Sequence, residues 1–89
     1  MLYTLSKAQY ELNELTQVLT QIKEDDALVL WQDGVLLAVK YPQLFDHIAH
    51  IFVLANDIDA RGLTLSNYQH LSLSDFIKVT EKFYPHLAL

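Results

Sequence analysis

The sequence contains no cysteine. That absence excludes disulfides, thiolate metal ligands and any thiol or persulfide carried on this polypeptide. Glycine is almost as scarce: Gly34 and Gly62 are the only two, too few for a glycine-rich phosphate-binding loop. Positive charge is thin, with six Lys plus Arg against eleven Asp plus Glu and a net charge of −5. Neutralising a phosphate backbone takes several well-placed cations, so direct nucleic-acid binding by this chain alone is not expected. No apolar run approaches the ~20 residues of a membrane-spanning helix. Met1-Leu2-Tyr3-Thr4-Leu5 lacks the charged start and long apolar run of a secretory signal. The expected location is the cytoplasm.

What the chain has in excess is apolar side chain: 52% hydrophobic residues against 19% charged. Its 89 residues are expected to form one domain, residues 1–89. A domain of this size has much surface for its volume. The apolar surplus therefore points to exposed patches that partner chains would cover, and to self-association or poor solubility of the isolated chain.

The organising stretch is Ala27-Leu28-Val29-Leu30-Trp31 followed by Gln32-Asp33-Gly34. An unbroken apolar run of this length suits a strand buried on both faces, as in a parallel α/β sheet. Gln32-Asp33-Gly34 then marks its carboxyl end, with Gly34 expected at positive φ. Leu2 to Leu5 reads as a first strand. Ser6 and Gln9 stand at capping-box spacing, and Leu5 and Tyr10 at hydrophobic-staple positions, so a helix is expected from Lys7 to Lys23. Its buried stripe would be Leu12, Leu15, Val18, Leu19 and Ile22.

Val35 to Val39 reads as a short buried helix, and Pro42 to His47 as a second helical piece opened by proline. His50 to Ala55 is a third strand, with Asn56-Asp57 ending it and capping a short helix that Gly62 stops. His70 to Leu73 is a last strand. Ser74 is the expected cap of a final helix, with Asp75 in its first turn, Phe76, Val79 and Phe83 on its buried face, and Pro85 as its stop. Strands alternating with helices imply parallel pairing and right-handed crossovers. The predicted fold is a three-layer α/β/α sandwich on a four-stranded parallel sheet.

Candidate chemistry is sparse. His47 and His50 flank a helix-to-strand change, and no carboxylate set completes a metal site. Ser6 and Ser74 read as caps, and Ser66 lies in a loop, so no nucleophile sits on the sharp turn that a Ser-His-Asp arrangement requires. Asp33 at a strand end could suggest a phospho-acceptor, but Thr4-Leu5-Ser6 supplies no companion carboxylates. It reads as a turn residue beside Gly34. Arg61 reads as the partner of Asp57, four residues earlier on one helix face. The candidate interface and turn residues are Gln32, Asp33, Gly34, Asp57, Arg61 and Gly62. No catalytic residue, cofactor site or metal site is assigned.

Four segments together resemble the TusB/DsrH family: Met1-Leu2-Tyr3-Thr4-Leu5; Leu28-Val29-Leu30-Trp31-Gln32-Asp33-Gly34-Val35; Asn56-Asp57-Ile58-Asp59-Ala60-Arg61-Gly62-Leu63; and Asp75-Phe76-Ile77-Lys78-Val79-Thr80-Glu81-Lys82. Length and element order match as well. The resemblance implies a DsrE/F/H-like fold and a non-catalytic subunit of a sulfur relay. TusB-like chains assemble with TusC-like and TusD-like chains as a heterohexamer, two copies of each. That complex receives persulfide sulfur from a TusA-like carrier and hands it to a TusE-like carrier, for 2-thiolation of the tRNA wobble uridine. The working cysteine belongs to the TusD-like chain.

Some DsrH-type members carry a cysteine in the first helix, where this chain has Val18 and Leu19, so it sides with the TusB type. It departs from the family at Tyr3, where histidine is common, at Leu63 to Gln69, which is short, and at Leu89, where tryptophan is frequent. Two other readings stand beside this one. They are a stand-alone homo-oligomeric α/β binding module and a DsrH-type subunit linked to sulfur oxidation.

Overall fold

Five parallel strands in the order β4-β3-β2-β1-β5 form the sheet in a computed structural model that describes residues 1–89. The strands are β1 (Leu2–Leu5), β2 (Ala27–Leu30), β3 (His50–Leu54), β4 (Gln69–Leu71) and β5 (His86–Ala88). The helices are α1 (Leu12–Gln21), α2 (Val35–Lys40), α3 (Ala55–Ala60) and α4 (Leu73–Lys82). Two 3-10 turns, Gln32–Gly34 and Pro42–Phe45, flank α2. All residues of β1 and β2 are buried, as a central parallel strand requires.

The connectivity sets the layers. From β1 to β4 the chain steps one strand at a time in one direction, so right-handed crossovers put α1, α2 and α3 on one face. The step from β4 to β5 returns across the whole sheet and carries α4 to the other face. Two separate cores record this. Tyr3, Leu5, Leu28, Leu30 and Val53 pack with Leu15 and Leu19 of α1, Leu37 of α2 and Ile58 of α3. Leu2, Ala27, Val29, Phe52, Leu54 and Leu71 pack with Phe76 of α4. The expected three-layer sandwich is therefore present, with one strand more than predicted.

The missed strand is β5. Pro85 does end the α4 region, after a cis Tyr84–Pro85 peptide, but the chain then pairs with β1 in the register Leu2↔His86, Tyr3↔Leu87, Thr4↔Ala88. Three residues with no alternating pattern gave no sign of it.

The first helix starts at Leu12 and not at Lys7. The Ser6–Gln9 capping box does not form. Instead the Tyr10 hydroxyl accepts the backbone N–H of Ser6 and Lys7 and donates to the Leu89 carbonyl. Those contacts hold residues 6–10 as an irregular segment. Glu11 caps α1, its carboxylate accepting the Glu14 N–H at 2.7 Å. At its other end the helix closes at Gln21, short of Lys23. Leu15 and Leu19 are its fully buried residues, each contributing roughly 1.5–3 kcal/mol of transfer free energy.

Other boundaries shift by a residue or two. Strand β3 ends at Leu54, and α3 opens at Ala55 with no side-chain cap, so Asn56 and Asp57 lie inside the helix. Strand β4 runs from Gln69 to Leu71, not from His70 to Leu73. The cap of α4 is Ser72, whose hydroxyl accepts the Asp75 N–H at 3.1 Å, and Ser74 lies in the first turn. Asp75 and the buried Phe76 stand where expected, with Val79 and Phe83 packed against the same core. Gly62 stops α3 with φ +62°. No helix is long and apolar enough to cross a membrane.

Candidate functional site

The residues singled out at the strand ends do converge. Past the end of β2 the chain turns abruptly at Gln32, whose φ is +52°, and enters the Gln32–Gly34 turn. A left-handed backbone at a non-glycine residue needs local support. Here Asp57, in the first turn of α3, accepts the Gln32 N–H at 2.6 Å. Arg61, one helical turn on, donates from Nη1 to the Asp57 carboxylate at 3.4 Å and to its carbonyl at 3.2 Å. Arg61 also donates to Asp33 Oδ1, from Nη2 at 2.6 Å and from Nε at 3.3 Å. One guanidinium thus ties the turn after β2 to the helix after β3.

The expected pair of Arg61 with Asp57 is present, but the shorter contact is the one to Asp33, far away in sequence. Asp33 is also the more exposed partner, 59% against 19% for Asp57. The hydrogen bond to Asp33, foremost, raises the pKa of Arg61 above its ordinary value; partial desolvation works against it. The two carboxylates already engage Nε, Nη1 and Nη2, so the cluster is built to fasten two connections together. It brings no nucleophile or histidine to the same place.

Gly34 lies beside this cluster for a reason other than the expected one. Its φ is −60°, an ordinary helical value, so the sequence-based expectation of a left-handed conformation is corrected. The constraint is proximity. A Cβ on Gly34 would stand 1.9 Å from the Leu5 carbonyl oxygen and 2.6 Å from its carbon. The left-handed residues of the site are Gln32 and Gly62. Gly62 has open space around it, so its conformation and not crowding is what asks for glycine.

The histidines do not meet. His47 donates from Nε2 to the Leu19 carbonyl at 3.0 Å, while the His50 ring packs against Phe83 with centroids 5.6 Å apart. No group of three or more His, Cys, Asp or Glu converges on a point.

A second feature lies at the carboxyl ends of β1 and β5. An apolar hollow of about 240 Å³ is lined there by Leu5, Tyr10, Glu11, Glu14, Leu15, Val18 and Leu89. In open α/β sheets the crevice where strand order reverses is where ligands and partners gather. With β5 unseen, the sequence reading had no means of placing the reversal beside β1. Tyr10 was the one available signal, and it read as a staple.

Known proteins resemble this chain along its whole length. Residues 7–85 match the family described as "DsrH like protein". An uncharacterised protein of Haemophilus influenzae is 42% identical over 95 aligned residues, covering all of both chains. Two proteins called TusB, from Pectobacterium parmentieri and Yersinia pestis, are 33% and 34% identical, with 99% of each chain covered. The chain belongs to the TusB/DsrH family. The span matching the DsrH-like family holds the whole Gln32–Asp33–Asp57–Arg61 cluster. It leaves out β1 and β5, which the fold brings side by side at one margin of the sheet.

Proposed function

We propose that this chain is the TusB-like, non-catalytic subunit of a sulfur-relay complex that supports 2-thiolation of the tRNA wobble uridine. The observation that carries the reading is the end-to-end match to TusB proteins in a chain that has no thiol. Relay chemistry proceeds by thiolate attack on a sulfur-bearing cysteine. A chain without cysteine can only hold and orient chains that have one. The partners would be TusC-like and TusD-like subunits, two copies of each with two of this chain, exchanging sulfur with TusA-like and TusE-like carriers in the cytoplasm. In this reading the chain binds no cofactor.

The strand-end cluster has a place in that role. Gln32, Asp33, Asp57, Arg61 and Gly62 form a fastened turn surface over the buried Gly34, suited to presenting a fixed shape to a neighbouring subunit. Asp33, being well exposed, is the member best placed to be felt by a partner.

The test is co-expression of the tagged chain with the TusC-like and TusD-like chains of the same genome. All three should elute together in equal amounts, and deletion of this chain should remove 2-thiouridine from the tRNA pool as read by mass spectrometry. A chain that purifies without either partner, and whose loss leaves thiolation intact, would overturn the proposal.

A further inference from the structure

We infer that two copies of this chain pair through β5, antiparallel across a twofold axis at Leu87, so that two five-stranded sheets become one. The inference rests on the sheet margin and is independent of the sulfur-relay reading.

β5 closes the sheet beyond β1, and all three of its residues are exposed. Its bonds to β1 alternate along the strand. Pro85 accepts from Leu2 at 2.9 Å, and Leu89 donates to Thr4 at 2.9 Å. In a parallel ladder the residues between alternate bonding positions direct their N–H and C=O away from the neighbour. For β5 those residues are His86 and Ala88, which point where no further strand lies.

This pattern is self-complementary. When a second β5 is laid antiparallel with the two Leu87 residues opposite, each His86 faces an Ala88 of the other copy. Both pairs exchange two hydrogen bonds, four in all, and Leu87 meets Leu87 as a close non-bonded pair. The margin itself carries no charged side chain. Phe83-Tyr84-Pro85-His86-Leu87-Ala88-Leu89 contains no Asp, Glu, Lys or Arg, although the chain as a whole carries −5. Sheet margins that avoid pairing are normally guarded by charged side chains or interior prolines. Here Pro85 stands just before the strand, with its carbonyl turned to β1.

Apolar side chains flank the strand. A stable pair buries about 800 Å² per partner, more than a three-residue strand provides. Leu87 is 42% exposed and Tyr84 73%, large apolar side chains left on the surface beside this margin. Leu87 pairs with Tyr3, a member of the core under α1, and Leu89 packs against that same core. Leu89 in turn lines the hollow beside α1. A twofold about Leu87 therefore sets Leu87 against Leu87, and Leu89 of each copy across from Pro85 of the other, on the same side of the joined sheet.

The experiment is light scattering of the purified chain over a concentration series, with far-UV circular dichroism to follow the fold. The wild type is expected at twice its 10.3 kDa mass. Ala88→Pro removes one outward N–H while leaving the bonds to β1, and Leu87→Asp sets two carboxylates against each other. Each should weaken dimerisation by more than about tenfold. Backbone amide exchange in the wild type gives a reading that needs no variant. The His86 and Ala88 amides should be protected at dimer concentrations and released on dilution, while the Leu87 amide stays protected. A monomeric wild type would overturn the inference. So would a dimer that survives both folded variants, or one whose His86 and Ala88 amides exchange freely.

Discussion

Gly34 and Gly62 are both glycines at the edge of the candidate site, yet they are needed for opposite reasons. Gly34 has an ordinary backbone and no room, while Gly62 has room and a left-handed backbone. Asparagine separates the two, because it tolerates the left-handed region but still brings a Cβ. Gly62→Asn should therefore leave stability nearly unchanged, and Gly62→Ala should cost about 1–2 kcal/mol. At Gly34 both Ala and Asn should cost about 1–3 kcal/mol or more, since either must push the Leu5 backbone aside. Urea denaturation of the four variants checks this; equal losses for Asn and Ala at Gly62 would contradict it. The sequence marks both positions, because glycine after a strand or helix is a strong signal. It cannot give the reason at Gly34, because the obstructing carbonyl belongs to Leu5, on another strand. The same holds for the cluster. Asp57 with Arg61 is readable as a helical spacing. The bonds from Arg61 to Asp33 and from Gln32 to Asp57 exist only once β2 and β3 lie side by side.

Among the elements, the long apolar strands and the positions of the helices were legible because β2 is buried throughout and β3 from Phe52 to Leu54, so both read as solid apolar runs. The ends of elements were not, because caps are chosen by tertiary contacts among several polar candidates. Ser72 and Ser74 illustrate this, since either precedes Asp75 and Phe76 closely enough to cap. Ser72 accepts the Asp75 N–H, whereas Ser74 reaches only the Ser72 hydroxyl, at 3.2 Å. Ser72→Ala should cost about 1 kcal/mol of stability, and Ser74→Ala a small fraction of that. Thermal unfolding of the pair reads the difference, and a larger loss at Ser74 would place the cap there after all. The start of α1 was misread on similar grounds. The Ser6-to-Gln9 spacing is a real capping pattern, but the Tyr10 hydroxyl takes both the Ser6 and Lys7 amides and bonds Leu89 across the sheet margin. That bond reaches the residue after β5, 79 positions along the chain, and no local spacing encodes it.

At the scale of the whole molecule the two sides of the sheet are unequally clothed, three helices on one and a single ten-residue helix on the other. The start of β1 is also tied to the turn before β2, and Asp26 makes that tie. Its Oδ2 accepts the Lys23 N–H at 2.9 Å in the turn after α1, and its Oδ1 receives the amino terminus at 3.0 Å, just before β1. The bond from the Lys23 amide, foremost, lowers the Asp26 pKa below its ordinary 3.8, with the amino terminus adding to it and partial burial opposing. A carboxyl whose pKa is depressed on folding stabilises the fold fully above its unfolded pKa, and that contribution is lost as pH falls through the folded value. Asp26 should thus contribute undiminished stability at neutral pH and lose it in the acid range below about 3.8. Asp26→Asn removes the titration while keeping an oxygen for the Lys23 amide. The variant should be less stable than the wild type at pH 7, and the two urea midpoints should approach each other as the pH is taken down past 3. A gap that stays constant from pH 7 to the acid limit would show that Asp26 does not tie the start of β1 through its charge.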